Sequence, residues 1–220
     1  MAVFSARHPI GVRVSVAGTG QLYAQILNGA PFDVLLAADA ERPRLLEERR
    51  LAVTGTRFAF AEGRLVFYAP SLSPLPTPPW SVLHREGIRL AMANPRTAPY
   101  GAAAAAVLDA LGGADLARAG EEPAYVVVTG ENVGQAFQFV RSGAAEAGLV
   151  SLGQMIREPP EHYVVVPADL HPPIRHEAAL LARAAAHEGA RAFLAFLRGD
   201  DARAILTRFG YAVREPEAAS

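Results

Sequence analysis

A chain of 220 residues, 51% of them hydrophobic and carrying a formal net charge of -1, is long enough for one large domain or two small ones and for a real buried core. It has no cysteine, and its 21 basic residues are all arginine. That excludes disulfides, thiolate metal sites, cysteine nucleophiles, a Walker-type phosphate loop and a lysine Schiff base. Near-neutral charge argues against a nucleic-acid partner, whose phosphates need a basic surplus, and no apolar run approaches the ~20 residues of a membrane span.

In chain order, the alternation Val12-Arg-Val-Ser-Val16 predicts a strand, and Leu22, Tyr23 and Ile26 recur at helical spacing. Asp33 to Ala38 predicts a buried strand, and Asp39 an N-cap for a helix over 40–50. Arg64 to Ala69 predicts a further strand. Five prolines between Pro70 and Pro79 then mark a loop or a crossing between domains. Beyond it, Ile88 to Ala93 predicts a strand and Ala102 to Leu111 a helix closed by Gly112-Gly113. Tyr125 to Thr129 predicts a strand, and Val133, Phe137 and Val140 the apolar face of a helix. Strands over 147–152 and 162–166 follow, then a second crossing at Pro172-Pro173. A strand over 178–182 leads to two helices running to Gly210, with Asp200 as the cap between them. Strands alternating with helices predict an α/β protein with mainly parallel sheets. The two crossings predict a discontinuous lobe, 1–70 with 176–220, and a second lobe, 71–175.

Three times a strand runs through a small-residue turn into a helix: at Ser15-Val-Ala-Gly-Thr-Gly20, at Asn94-Pro-Arg-Thr-Ala-Pro-Tyr-Gly101 and at Thr129-Gly-Glu-Asn-Val-Gly134. A helix start presents unpaired N–H groups and a partial positive charge, and so attracts an anion. Singly, each is also explained as an ordinary turn, with Tyr100 as a packing aromatic and Asn132-Val133 as a first helical turn. Jointly, in a chain without lysine, they point to an oxyanion site. The six histidines include no pair at the helical i, i+4 zinc spacing. Ser151, in Leu149-Val-Ser-Leu-Gly153, lacks the glycine two residues earlier that a nucleophile elbow needs. Neither metal ligation nor covalent catalysis is therefore expected.

The blocks Gly18-Thr-Gly-Gln-Leu-Tyr-Ala-Gln-Ile26, Asn28-Gly-Ala-Pro-Phe-Asp33, Ala93-Asn-Pro-Arg-Thr-Ala-Pro-Tyr-Gly101, Gly130-Glu-Asn-Val-Gly-Gln135 and Arg208-Phe-Gly-Tyr211 resemble, in order and over nearly the whole chain, the periplasmic molybdate-binding proteins of ABC importers. The resemblance implies a type II periplasmic binding protein fold, with two α/β lobes, each a mainly parallel sheet flanked by helices, and ligand in the cleft between them. It puts Thr19 at a position that donates hydroxyl and backbone N–H to the oxyanion, and Tyr100 and Val133 at positions that donate backbone N–H. Gly18, Gly20, Pro99, Asn132 and Ser151 would line the site; serine at 151 departs from a tyrosine that some members use. The ligand implied is molybdate or tungstate, held without a cofactor and without side-chain metal coordination. The partner implied is the permease of an ABC transporter, the location of the full-length form is periplasmic, and the chain is expected to be a monomer. In the family a first strand, with a ligand loop after it, and most of a first helix precede the segment matching Phe4 to Val16. The resemblance therefore implies an N-terminally truncated chain whose Met1 to His8 end that helix, with no signal peptide visible. Two alternatives remain at this point: a cytoplasmic oxyanion-sensing regulatory domain of the same fold, and a binder of sulfate-type oxyanions. An enzyme is not expected.

Overall fold

The computed structural model describes residues 2–112 and 124–213. The chain divides into two compact units. One is Gly63–Ile174, and the other comprises the residues up to Glu62 together with those from Arg175 onward.

In the discontinuous unit, α1 (Ala2–Arg7) and α2 (Thr19–Leu27) precede β1 (Val34–Ala37), α3 (Glu41–Glu48) and β2 (Phe58–Gly63). After the other unit the chain returns through β8 (Ile174–Leu180), α6 (Glu188–Arg198) and α7 (Asp200–Arg208). The sheet order is β1-β8-β2. Residues alternate across β8 in the manner of any strand. Ala179, with Leu181 just beyond the strand, packs with Leu35, Ala37, Ile26 and Leu46, the last two from α2 and α3. Ala178 and Leu180 face the other way onto Ala190 and Leu194 of α6. α1 is fixed by Phe4, fully buried against Phe193 and Phe196 of α6 at ring distances of 5.3 and 5.5 Å.

The other unit contains β3 (Leu65–Tyr68), β4 (Arg89–Ala93), α4 (Pro99–Ala110), β5 (Val126–Gly130), α5 (Val133–Arg141), β6 (Ala147–Ser151) and β7 (Tyr163–Val165). Its sheet order is β5-β4-β6-β3-β7. Val66, Tyr68, Ala91 and Val150 face Ala136 and Val140 of α5, and α4 buries Ala103, Ala104 and Val107.

The α/β architecture agrees with the sequence reading, with four differences. The sheets are mixed: β4 pairs in parallel with β5 and β6, whereas β3 runs antiparallel to β6 and β7, and β1 antiparallel to β8. Strands that carry the chain across between units enter the sheet against the direction of the strand–helix repeats, which no local pattern announces. The first crossing lies before β3, at residue 63, not after the prolines, because β3 finds both its partners in the second unit. Val12–Val16 forms no strand; Val14 and Val16 are 62% and 81% exposed, since alternation makes a strand only where a neighbour supplies the ladder. Gly199 occupies the cap position between α6 and α7, with Asp200 the first helical residue. Of the pair that closes α4, Gly112 takes a left-handed φ of 81°, and Gly113 lies outside the described residues. No helix among the described residues is long and apolar enough to cross a membrane.

Candidate functional site

The starts of α4 and α5 follow the C-terminal ends of β4 and β5, and the start of α2, which no strand precedes, is bonded to Ala38 just past the end of β1; such strand ends are where open α/β sheets carry their ligands. Thr19 opens α2 and is buried. Its Oγ1 accepts a hydrogen bond from the Ala38 N–H, just past β1, at 3.1 Å. A hydroxyl that accepts keeps its own proton to donate. Gly18 is the cap of α2, and its N–H donates to Gln21 Oε1 at 3.1 Å; Gly20 lies in the first turn. Asp39, expected as the cap of the following helix, lies one residue before the cap position, which Ala40 occupies; its Oδ1 still accepts from the Arg42 N–H at 2.8 Å, and its Oδ2 pairs with the Arg42 guanidinium at 3.1 Å. Burial pushes its carboxyl above the usual range, against the pull of Arg42.

In the second unit, β4 and β5 lie side by side with Ala93 opposite Gly130, and the Asn94 N–H donates to the Gly130 carbonyl at 2.8 Å. α4 and α5 therefore start next to each other at the same end of the sheet. Pro99 and Tyr100 are the first two residues of α4. Proline suits that position because its missing N–H would have had no helical partner. The turn into α4 requires glycine at 101: a Cβ there would lie 2.4 Å from the Ala93 carbonyl oxygen. Gly130 is equally constrained, with a Cβ 2.9 Å from the Ala136 nitrogen. Both glycines let a helix start lie directly against a strand end. Asn132 caps α5, its Oδ1 accepting from the Gln135 N–H at 3.0 Å, while Gln135 Oε1 accepts from the Glu131 N–H at 2.6 Å.

β6 is parallel to β4 and ends beside them at Ser151. Ser151 is 3% exposed. Its Oγ donates to the Tyr100 hydroxyl at 3.1 Å and accepts from the Gly153 N–H at 3.2 Å. Gln154 Oε1 accepts from the Ser151 N–H at 3.0 Å, and its Nε2 donates to the Val133 carbonyl at 3.2 Å. Ser151 is thus tied to the start of α4 and Gln154 to the start of α5. Gln154 is not among the residues that the sequence singles out, although Ser151-Leu-Gly-Gln154 has the spacing of a capping box.

The charge pattern separates these helices from α3, α6 and α7, although the short α1 also lacks a first-turn acid. α2, α4 and α5 carry no acidic residue in their first turn. α3, α6 and α7 do: Glu41, Glu188, and Asp200 with Asp201. An acid in the first turn compensates the positive pole of a helix, and its absence leaves the pole for an external anion. A separate open hollow in the discontinuous unit, lined by Arg7, His8, Phe196, Gly199, Asp200 and Asp201, lacks this character, because Arg7 already pairs with Asp201. Among the described residues, no group of three or more His, Asp or Glu is placed to hold a metal ion.

Residues 1–212 match the model of the family described as bacterial extracellular solute-binding protein. The chain belongs to this family. Within it, the chain is 36% identical to the molybdate-binding protein ModA of Rhodobacter capsulatus over 210 residues, covering 96% of this chain and 81% of that one. It is 37% identical to ModA of Azotobacter vinelandii over 207 residues, covering 92% and 79%. The solved structure of the Azotobacter vinelandii periplasmic molybdate-binding protein superposes with a TM-score of 0.85 at 32% identity, over 97% of this chain and 92% of that one. A substrate-binding domain of a putative molybdenum ABC transporter from Clostridium difficile, at 21% identity and a TM-score of 0.68, shares the fold. These relatives are binding proteins of the two-lobed periplasmic type, which is the fold class the sequence resemblance implied.

Proposed function

We propose that this chain captures molybdate, or the closely similar tungstate, outside the cytoplasmic membrane and delivers it to the permease of an ABC importer. Three helix starts without first-turn acids carry this reading, in a chain 36 and 37% identical to proteins named for molybdate. Thr19 donates through its hydroxyl and backbone N–H, and Tyr100 and Val133 donate through backbone N–H groups. Gly18, Gly20 and Pro99 shape the approach. Neutral donors suit a dianion, because charge-assisted hydrogen bonds replace its water shell without a buried countercharge. They also reject a protonated anion, whose O–H would meet only donors. The chain works as a binder, not a catalyst, and needs no cofactor. Because the relatives are named as binding proteins, capture is favoured over cytoplasmic sensing.

Thermal unfolding with molybdate, tungstate, sulfate and phosphate tests the reading, since a ligand that binds only the folded state raises the midpoint. Molybdate and tungstate should raise it well above the other two. Equal or absent shifts for all four would overturn the proposal.

A further inference from the structure

The contacts around Ser151 and Gln154 form one continuous path inside the second unit. It runs from the Tyr100 hydroxyl to Ser151 Oγ, from the Ser151 N–H to Gln154 Oε1, and from Gln154 Nε2 to the Val133 carbonyl, with links of 3.1, 3.0 and 3.2 Å. Its two ends are Tyr100, in the first turn of α4, and Val133, which opens α5. We propose that Ser151 and Gln154 are positioning residues that hold these two helix starts at a set spacing, and thereby set selectivity for a large tetrahedral oxyanion over sulfate. The inference rests on the oxyanion reading above.

First, a primary amide that accepts at one end and donates at the other is satisfied only when both partners stand at one separation. Gln154 therefore works as a spacer between the end of β6 and the start of α5, not merely as a cap. Second, Ser151 and Tyr100 are 3% and 4% exposed. A hydrogen bond between buried groups is costly to break, because neither finds water in exchange. The α4 end of the path is therefore anchored. Third, molybdate and sulfate share charge and shape and differ in size, so donor spacing is what can separate them. Donors free to close in would follow the smaller ion. Donors braced through Ser151 and Gln154 would not, and sulfate would then leave hydrogen bonds long. Ser151 itself need not touch the anion: its hydroxyl is already engaged with Tyr100 and Gly153.

The test is calorimetric titration of the whole chain with molybdate, alone and in competition with sulfate, for the unmodified protein and for Gln154→Met, Ser151→Ala and Ser151→Thr. Methionine keeps the length of glutamine without its amide, and threonine keeps the hydroxyl. The molybdate-to-sulfate affinity ratio should fall about threefold to tenfold in Gln154→Met and Ser151→Ala, the scale of one ordinary hydrogen bond, and return toward the original in Ser151→Thr. A purely structural role would lower the unfolding midpoint and weaken both anions alike, with no change in ratio. An unchanged ratio in a folded Gln154→Met protein overturns the positioning role and leaves the functional reading standing. Failure of the unmodified chain to bind either anion overturns both.

Discussion

Gly101→Ala is the sharpest perturbation of the helix start at α4. The added Cβ would lie 2.4 Å from the Ala93 carbonyl oxygen and 2.7 Å from both the carbonyl carbon and oxygen of Asn94. All three are backbone atoms, so no side chain can swing aside. An unbonded carbon and oxygen rest at about 3.3 Å, so the first turn of α4 must retreat by about 0.9 Å from the end of β4. Overpacking of this kind costs about 1–3 kcal/mol of stability. The same movement carries the Tyr100 N–H away from an anion held by the other donors. A charge-assisted hydrogen bond is worth about 1.5–3 kcal/mol, so molybdate affinity should fall about tenfold to a hundredfold. Thermal unfolding and calorimetric titration read the two effects. Gly11→Ala is the control, because nothing lies within 4 Å of its Cβ position; it should change stability by less than about 0.5 kcal/mol. Wild-type stability and affinity in Gly101→Ala would refute the claim that this close approach positions the donor.

Thr19→Ala should weaken molybdate binding and cost about 1–2 kcal/mol of stability, because the Ala38 N–H loses its acceptor; Thr19→Ser should keep both, and equal affinity in the alanine protein would remove Thr19 from the site. Tyr68→Phe should cost about 1.5–3 kcal/mol in denaturant unfolding, since the buried Tyr68 hydroxyl donates at 2.8 Å to a Glu158 that also takes Arg141 at 3.0 Å. His176, half-buried between the rings of Phe60 and Tyr211 at 5.9 and 5.2 Å, is held by burial down to about 4 from an ordinary 6.5. Its folded form resists protonation, so stability is full above pH 6.5 and falls as the pH drops toward 4, where the unfolded chain takes a proton that the folded one refuses. The full effect is about 3 kcal/mol, and the half-buried position brings it to about 1–2 kcal/mol. His176→Phe should remove that part of the pH slope, and an unchanged slope would contradict the assignment.

The strand–helix order was legible because apolar runs such as Leu90 to Ala93 and Leu149-Val150 are buried on both faces and are bounded by turn residues. The three helix starts were legible from their glycines, proline and Asn132. What escaped depends on partners distant in sequence. β8 begins at Ile174, four residues ahead of its apolar stretch, because Arg175, His176 and Glu177 carry the ladder while hiding the pattern; Glu177 is buried only by pairing with Arg57 at 2.7 Å. The alternation at Val12–Val16 looked equally strand-like and found no partner. Gln154 escaped for a related reason: its role lies in joining β6 to α5, and the sequence shows only a polar residue near a serine.

Calorimetric titration with molybdate at about pH 6 and about pH 8 tests most directly whether neutral donors hold an oxyanion. Backbone N–H groups and a threonine hydroxyl do not titrate in that range. The account therefore predicts saturable binding of one equivalent per chain with the same affinity at both values. Absence of saturable binding would contradict it, and so would an affinity that follows a group titrating near 6.5, because that would place a histidine in the site.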